Sequence, residues 1–181
     1  MRRLLFRTCI GMTLLFGIGI TYTYMTQEGR LFTATRLPLD FELTFDAPFE
    51  ERRLEREGGA SLSLARFFAK ERKGTILYFH GRGGNLQTKW GDVAADFTAR
   101  GYDVVMPDYR GFGKSRGILT QEVLLQDALA VFDEVVSLYP DEPIAVYGCS
   151  LGTGFASYVA AHRPVGSLFL ESPFFSLIEL S

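Results

Sequence analysis

The hydrophobic pattern of the chain changes character twice. Residues 8–25 run without a single charge, after a start that carries Arg2, Arg3 and Arg7. A run of that length can cross a hydrocarbon core as a helix. Tyr22 and Tyr24 lie at its far end, where interfacial aromatics are favoured. Residues 1–25 are therefore expected to form an uncleaved signal anchor. A cleaved signal peptide competes with this reading, but no Ala-x-Ala-like site follows the run. A lipoprotein reading through Cys9 meets Arg7-Thr8 where small and apolar residues are expected. Positive charge ahead of the run predicts a cytoplasmic N-terminus, a single membrane pass and an extracytoplasmic domain.

Residues 26–40, with Pro38, read as a linker, and residues 41–181 as one domain. Two strand-like stretches, Phe41–Phe45 and Ser61–Ala69, flank a charged turn that contains Gly58-Gly59. Ser61 to Phe67 alternates polar and apolar residues, as a half-buried strand does. The pattern then becomes continuous. Thr75–Phe79, Asp103–Met106, Ile144–Tyr147 and Ser167–Leu170 are short runs, largely apolar on both faces, as in a covered parallel sheet. Helical stretches separate them: Leu86–Arg100 stopped by Gly101, Thr120–Leu138 capped by Thr120, and Ser150–His162 followed by Pro164. This alternation predicts an α/β domain with a doubly wound, mostly parallel sheet.

Composition narrows the function classes. A chain of 181 residues can bury a sizeable core. A net charge of −2 gives no basic surplus for a nucleic-acid partner. Cys9 and Cys149 make no disulfide framework, and without a Cys-x-x-Cys pair or a His cluster no metal or other cofactor is expected. The 16 Phe residues are assigned to the core rather than to an acyl-binding wall.

Three segments carry chemistry. Gly148-Cys149-Ser150-Leu151-Gly152 is a G-x-S-x-G sequence that follows a predicted buried strand and opens a predicted helix. That context defines a nucleophile elbow, a strained turn presenting a serine with small residues two places on either side. Ser150 is the expected nucleophile, supported by Gly148 and Gly152. Cys149 is excluded by spacing, because its neighbours two places away are Tyr147 and Leu151, and it is expected to be buried below the elbow. The second segment, His80-Gly81-Arg82-Gly83-Gly84-Asn85, follows the first core strand. A glycine-rich turn there can bring a backbone N–H to a substrate carbonyl, so the N–H groups of Arg82 and Leu151 are the expected oxyanion donors. His80 is assigned to bracing the loop with Gly81. The third segment, Pro107 to Ser115, holds Asp108 and Arg110, read as a charged pair fixing a loop. It lacks the spacing of a phosphate loop.

Together with Glu171-Ser172-Pro173-Phe174, these segments resemble the α/β-hydrolase superfamily over about residues 60–181. More narrowly they are similar to the serine aminopeptidase (S33) branch and its Bem46-like membrane-anchored hydrolases. The resemblance implies hydrolysis of an ester, thioester or amide through an acyl-enzyme at Ser150, on a small-molecule, lipid or peptide acyl substrate. It also implies a triad in the order Ser, Asp or Glu, His. The acid and the histidine would follow the strand that ends at Glu171, and the sequence stops at Ser181. His162 lies twelve residues after Ser150 on the same predicted helix, about 18 Å away. Glu171 is expected in a structural or substrate-lining role rather than as a variant acid. The chain is thus expected to be C-terminally truncated, with an incomplete sheet and impaired activity. A non-catalytic binding protein and an acyltransferase of the same fold are the alternatives.

Overall fold

A computed structural model describes the backbone of residues 2–31 and 34–173, and the side chains of residues 11–26 and 34–173. Helix α1 spans Arg2–Leu31. Strands β1 (Phe49–Glu55), β2 (Ser61–Phe67), β3 (Gly74–Phe79), β4 (Tyr102–Pro107), β5 (Ile144–Cys149) and β6 (Ser167–Glu171) form one sheet in the order β1-β2-β4-β3-β5-β6. β2 is antiparallel to β1 and β4, and the pairs β3–β4, β3–β5 and β5–β6 are parallel. Helices α2 (Val93–Thr98), α3 (Gln121–Leu138) and α4 (Gly152–His162) make the crossovers.

The sheet is covered on both faces, which explains the unbroken apolar runs. In β3, Leu77 and Phe79 join a core with Leu124, Phe132 and Val135 of α3 and Phe155 and Val159 of α4. Ile76 and Tyr78 join a second core with Phe67, Met106, Leu86 and Ala94 on the α2 side. Helix α3 presents Leu124, Ala128, Val131 and Val135 inward, the spacing of one helical face. The Thr120 hydroxyl accepts the Val123 N–H at 3.3 Å, closing the N-terminus. Strand β6 is different: all five residues are exposed, including Leu168, Phe169 and Leu170.

Three sequence expectations are corrected. Phe41–Phe45 forms no strand; the charged stretch Phe49–Glu55 does. β1 is an edge strand, where charges tolerate water and discourage further pairing. Arg52 there reaches Glu50 at 3.0 Å and Glu134 at 3.1 Å. The helix expected over Leu86–Arg100 is split into a π turn, Leu86–Trp90, and α2. Gly91 marks the break: a Cβ there would lie 2.1 Å from the Phe45 ring, so the backbone passes too close for a side chain.

The third correction concerns the N-terminus. It is helical, and longer than the uncharged run, but among the described residues no helix is long and apolar enough to cross a membrane. Gly11, Gly17 and Gly19, with Thr13, Thr21, Thr23 and Thr26, dilute the apolar character of the described side chains. The Thr21 and Thr26 hydroxyls turn back to the carbonyls of Gly17 and Tyr22. The membrane anchor, the single pass and the extracytoplasmic placement are therefore unsupported. The side chains of Arg2, Arg3, Arg7 and Cys9, and the chain end at Ser181, lie outside the described residues.

Candidate active site

The turn from β5 into α4 holds Ser150 at φ 49°, in the left-handed region. Among the described non-glycine residues only Ser172 shares a positive φ. Such a conformation costs on the order of 1–3 kcal/mol and persists only when its surroundings fix it. Here they do. The Ser150 N–H donates to the Glu171 carbonyl at 2.8 Å, tying the turn to β6. The Ser150 carbonyl accepts from the Thr153 N–H at 2.9 Å and from the Thr153 hydroxyl at 2.6 Å. A Cβ on Gly148 would stand 2.5 Å from the Gly152 carbonyl oxygen, and one on Gly152 would stand 2.0 Å from that of Phe79. Both flanks of the serine must therefore be glycine, and the turn lies directly on the end of β3. Ser150 is half-buried, and among the described residues no side chain hydrogen-bonds its Oγ.

The loop after β3 packs against this turn. A Cβ on Gly81 would lie 3.4 Å from the Cys149 carbonyl oxygen and 2.8 Å from the Trp90 ring. Gly83 and Gly84 follow at φ 77° and 70°, two successive left-handed residues that reverse the chain. Arg82 is exposed between them and Gly81. Among the described residues, no acceptor takes the N–H of Arg82 or of Leu151. Both backbone donors are thus left unpaired by the described residues.

His80 is fully buried at the base of this loop. Its Nδ1 donates to the Gly81 carbonyl at 2.8 Å, and its Nε2 faces Asp108 Oδ1 at 3.4 Å without forming a hydrogen bond. The ring stacks on Trp90 at 5.7 Å and lies against Tyr109 at 4.2 Å. Sequence reasoning did not single out Tyr109 and Trp90, yet both fix the loop. The Tyr109 hydroxyl donates to the His80 carbonyl at 2.6 Å, and Trp90 Nε1 donates to the Gly83 carbonyl at 2.8 Å. Burial, reinforced by the Asp108 charge, pushes the Tyr109 hydroxyl well above its ordinary value, so it stays a donor. A buried aromatic directly after Asp108 was the one available signal.

Asp108 and Arg110 do not pair with each other. Asp108 Oδ1 accepts the Leu86 N–H at 3.1 Å, and the Asp108 carbonyl accepts the Ser115 hydroxyl at 2.6 Å. Arg110 instead grips Asp127 of α3, at 2.6 and 2.9 Å, and Arg56 shares that carboxylate at 3.0 Å. Asp108 pins the loop and Arg110 pins α3.

Below the elbow, Cys149 is half-buried rather than fully buried. Burial is the largest influence raising its thiol; Tyr78 opposes the rise and the Glu171 charge adds to it. Glu171 accepts the Tyr147 hydroxyl at 2.9 Å, and burial with that bond pushes Tyr147 up to about 12. Glu171 thus serves the elbow through its backbone carbonyl and Tyr147 through its carboxylate. His162 turns back to the Tyr158 carbonyl at 2.7 Å at the far end of α4.

Comparison with known proteins agrees with this geometry. The alpha/beta hydrolase fold family matches residues 74–181. A lysophosphatidylserine lipase, ABHD12, of Xenopus tropicalis is 38% identical over 113 residues, covering 58% of this chain and 28% of the relative. Protein ABHD12B of Homo sapiens is 36% identical over 108 residues, covering 55% and 29%. The chain therefore spans under a third of the length of these curated relatives. Among solved structures, the thioesterase domain from the curacin biosynthetic pathway superposes with a TM-score of 0.55 at 32% identity, covering 68% of this chain and 46% of that one. The Pyrococcus furiosus esterase Pf2001 reaches a TM-score of 0.64 at 19% identity, covering 79% and 57%, a likeness of fold. With its serine turn, its glycine-rich loop and its parallel core in place, the chain belongs to the α/β-hydrolase fold family.

Proposed function

We propose that this chain carries the nucleophile half of a serine hydrolase acting on ester bonds of lipid or small-molecule acyl substrates. The observation that carries the reading is Ser150 at positive φ between two glycines whose positions exclude any side chain. A strained, half-exposed serine with free N–H donors beside it suits attack on a carbonyl. In the proposed reaction Ser150 Oγ attacks the acyl carbon and loses its proton. The carbonyl π pair moves onto oxygen, which the N–H groups of Arg82 and Leu151 bind. Collapse expels the alcohol and leaves an acyl-serine, which water then cleaves. Removing one such donor typically lowers turnover by about 100- to 1000-fold.

The proton acceptor for Ser150 is not among the described residues. His80 is buried against Gly81 and Asp108, and His162 is held at the distal end of α4. We assign the acid and base to segments outside those described, in keeping with the order of catalytic residues in this fold. Within the family, we propose the serine aminopeptidase (S33) and Bem46-like branch, on the resemblance of residues 80–85, 108–115, 148–152 and 171–174 to its motifs.

The lysophosphatidylserine lipase name of the relatives supports a monoacyl phospholipid as first substrate. The test is fatty-acid release from lysophosphatidylserine vesicles by the full-length protein, beside its Ser150→Ala variant. Release by the wild type and not by the variant is expected. Equal release by both, or none by either when folded, would remove Ser150 from the reaction.

A further inference from the structure

Residues 34–37, which follow α1, lie across the loop after β3, which packs on the serine turn, and the loop after β4. Ala34 pairs with Gly84 and Arg36 with Gly113 in short parallel bridges. The Thr35 carbonyl is the pivot: it accepts the Asn85 side-chain Nδ2 at 2.9 Å and the Gly113 N–H at 2.9 Å. Leu37 donates its N–H to the Gly113 carbonyl at 2.9 Å and accepts Arg116 Nη2 at 2.5 Å. Asn85 is fully buried, and its other side-chain atom accepts the Thr88 N–H at 2.9 Å. One amide therefore holds the π turn with its oxygen and the 34–37 segment with its nitrogen.

The glycine-rich loop needs such a hold. Gly83 and Gly84 are the residues with the widest conformational choice, and they sit between Arg82 and Asn85. On the side before them, His80 and Trp90 fix the chain. On the side after them, Asn85 is the anchor, and the Ala34 bridge reaches Gly84 itself. A donor must sit about 3 Å from where the oxyanion develops, so a loop free to swing loses its catalytic value without unfolding.

We propose that residues 34–37 act as a strap that positions the oxyanion loop, with Asn85 as the positioning residue that latches it. This inference rests on the hydrolase reading above, and it adds a part of the chain outside the matched family region. Asn85→Asp is the informative change. The carboxylate keeps the oxygen that caps the π turn, because Asp is as good a cap as Asn. It loses the donor to Thr35 and sets an oxygen against the Thr35 carbonyl. Leu37→Pro is a second, independent release, since it removes the N–H given to Gly113.

The experiment is the rate of Ser150 phosphonylation by an alkyl fluorophosphonate in the full-length protein, with amide hydrogen exchange at residues 81–86 measured in parallel. The phosphonyl oxygen occupies the same donors as a carbonyl oxygen. Expected for N85D is a lowered Tm in a protein still folded at the assay temperature, a maximal labelling rate about tenfold lower with unchanged half-saturation, and exchange at Gly83 and Gly84 accelerated more than at the core strands. Leu37→Pro should shift rate and exchange in the same direction. Unchanged labelling and unchanged exchange in both variants would overturn the strap. Wild-type protein that is folded but never labels would overturn the hydrolase reading instead. The exchange data would then still decide whether the strap holds the loop.

Discussion

At the residue scale, the serine turn depends on three atoms that cannot be there: the absent Cβ atoms of Gly148, Gly152 and Gly81. Gly152→Ala would press a methyl to within 2.0 Å of the Phe79 carbonyl oxygen. Overpacking of this kind costs typically about 1–3 kcal/mol, and backbone in contact on the other side leaves little room to relax. Urea unfolding of G152A should show a loss at the top of that range, about 3 kcal/mol. A loss under about 0.5 kcal/mol, the level of an ordinary surface change, would mean the turn is looser than described. Cys149 gives a second residue-scale prediction. Its thiol is raised mainly by burial, so at pH 8 it should alkylate with iodoacetamide more slowly than free cysteine. Faster alkylation would make it a rival to Ser150. The spacing of the glycines around Ser150 was legible in the sequence because steric exclusion leaves a residue type behind. The hold on the glycine-rich loop was not legible, because its pivot is the backbone carbonyl of Thr35, which any residue supplies.

At the element scale, β3, β4 and β5 and the helices α3 and α4 follow from hydrophobic rhythm, since both faces of the sheet are covered. The rhythm failed at β1 because an edge strand can satisfy its charges in water and with Glu134 of α3. It failed at Leu86–Arg100 because the break comes from the approach of Phe45, a contact distant in sequence. Helix α3 is fixed to the rest by Asp127, which is 4% exposed between Arg56 and Arg110. Asp127→Asn should lower stability by about 3 kcal/mol, because it leaves two guanidinium groups short of their carboxylate. Chemical denaturation measures this, and a change below about 1 kcal/mol would mean water replaces the carboxylate freely. Between α3 and α4, Arg163 holds the Asp133 carboxyl below its ordinary value, chiefly by a hydrogen bond. A lowered folded-state value means the contribution is present above the ordinary carboxylate range and is lost as pH falls through the lowered one. The Tm difference between wild type and Asp133→Asn should therefore shrink as pH falls from about 7 to 3. A difference that grows on acidification would reverse the assignment.

At the scale of the whole molecule, the sheet has two unlike margins. On the β1 side charges alternate along an antiparallel pair. On the other side, among the described residues, β6 pairs with β5 alone and leaves Leu168, Phe169 and Leu170 exposed, Phe169 by 52%. An exposed edge with three successive apolar residues is a template for association between chains. Phe169→Lys should lower light scattering of the concentrated chain without changing its circular dichroism, and unchanged scattering would show that β6 is not the contact. In sequence, the segment between α1 and β1 reads as a linker, because its Pro38-bearing composition resembles a tether. That segment joins the loop after β3 to the loop after β4.

The central claim is that Ser150 is a nucleophile, and adduct mapping tests it most directly. The full-length protein is treated with a fluorophosphonate, digested, and read by peptide mass spectrometry. A single phosphonyl adduct on Ser150 is expected, absent from Ser150→Ala and undiminished in Cys149→Ala. A folded protein with no adduct at Ser150, or with the adduct on Cys149, would contradict it.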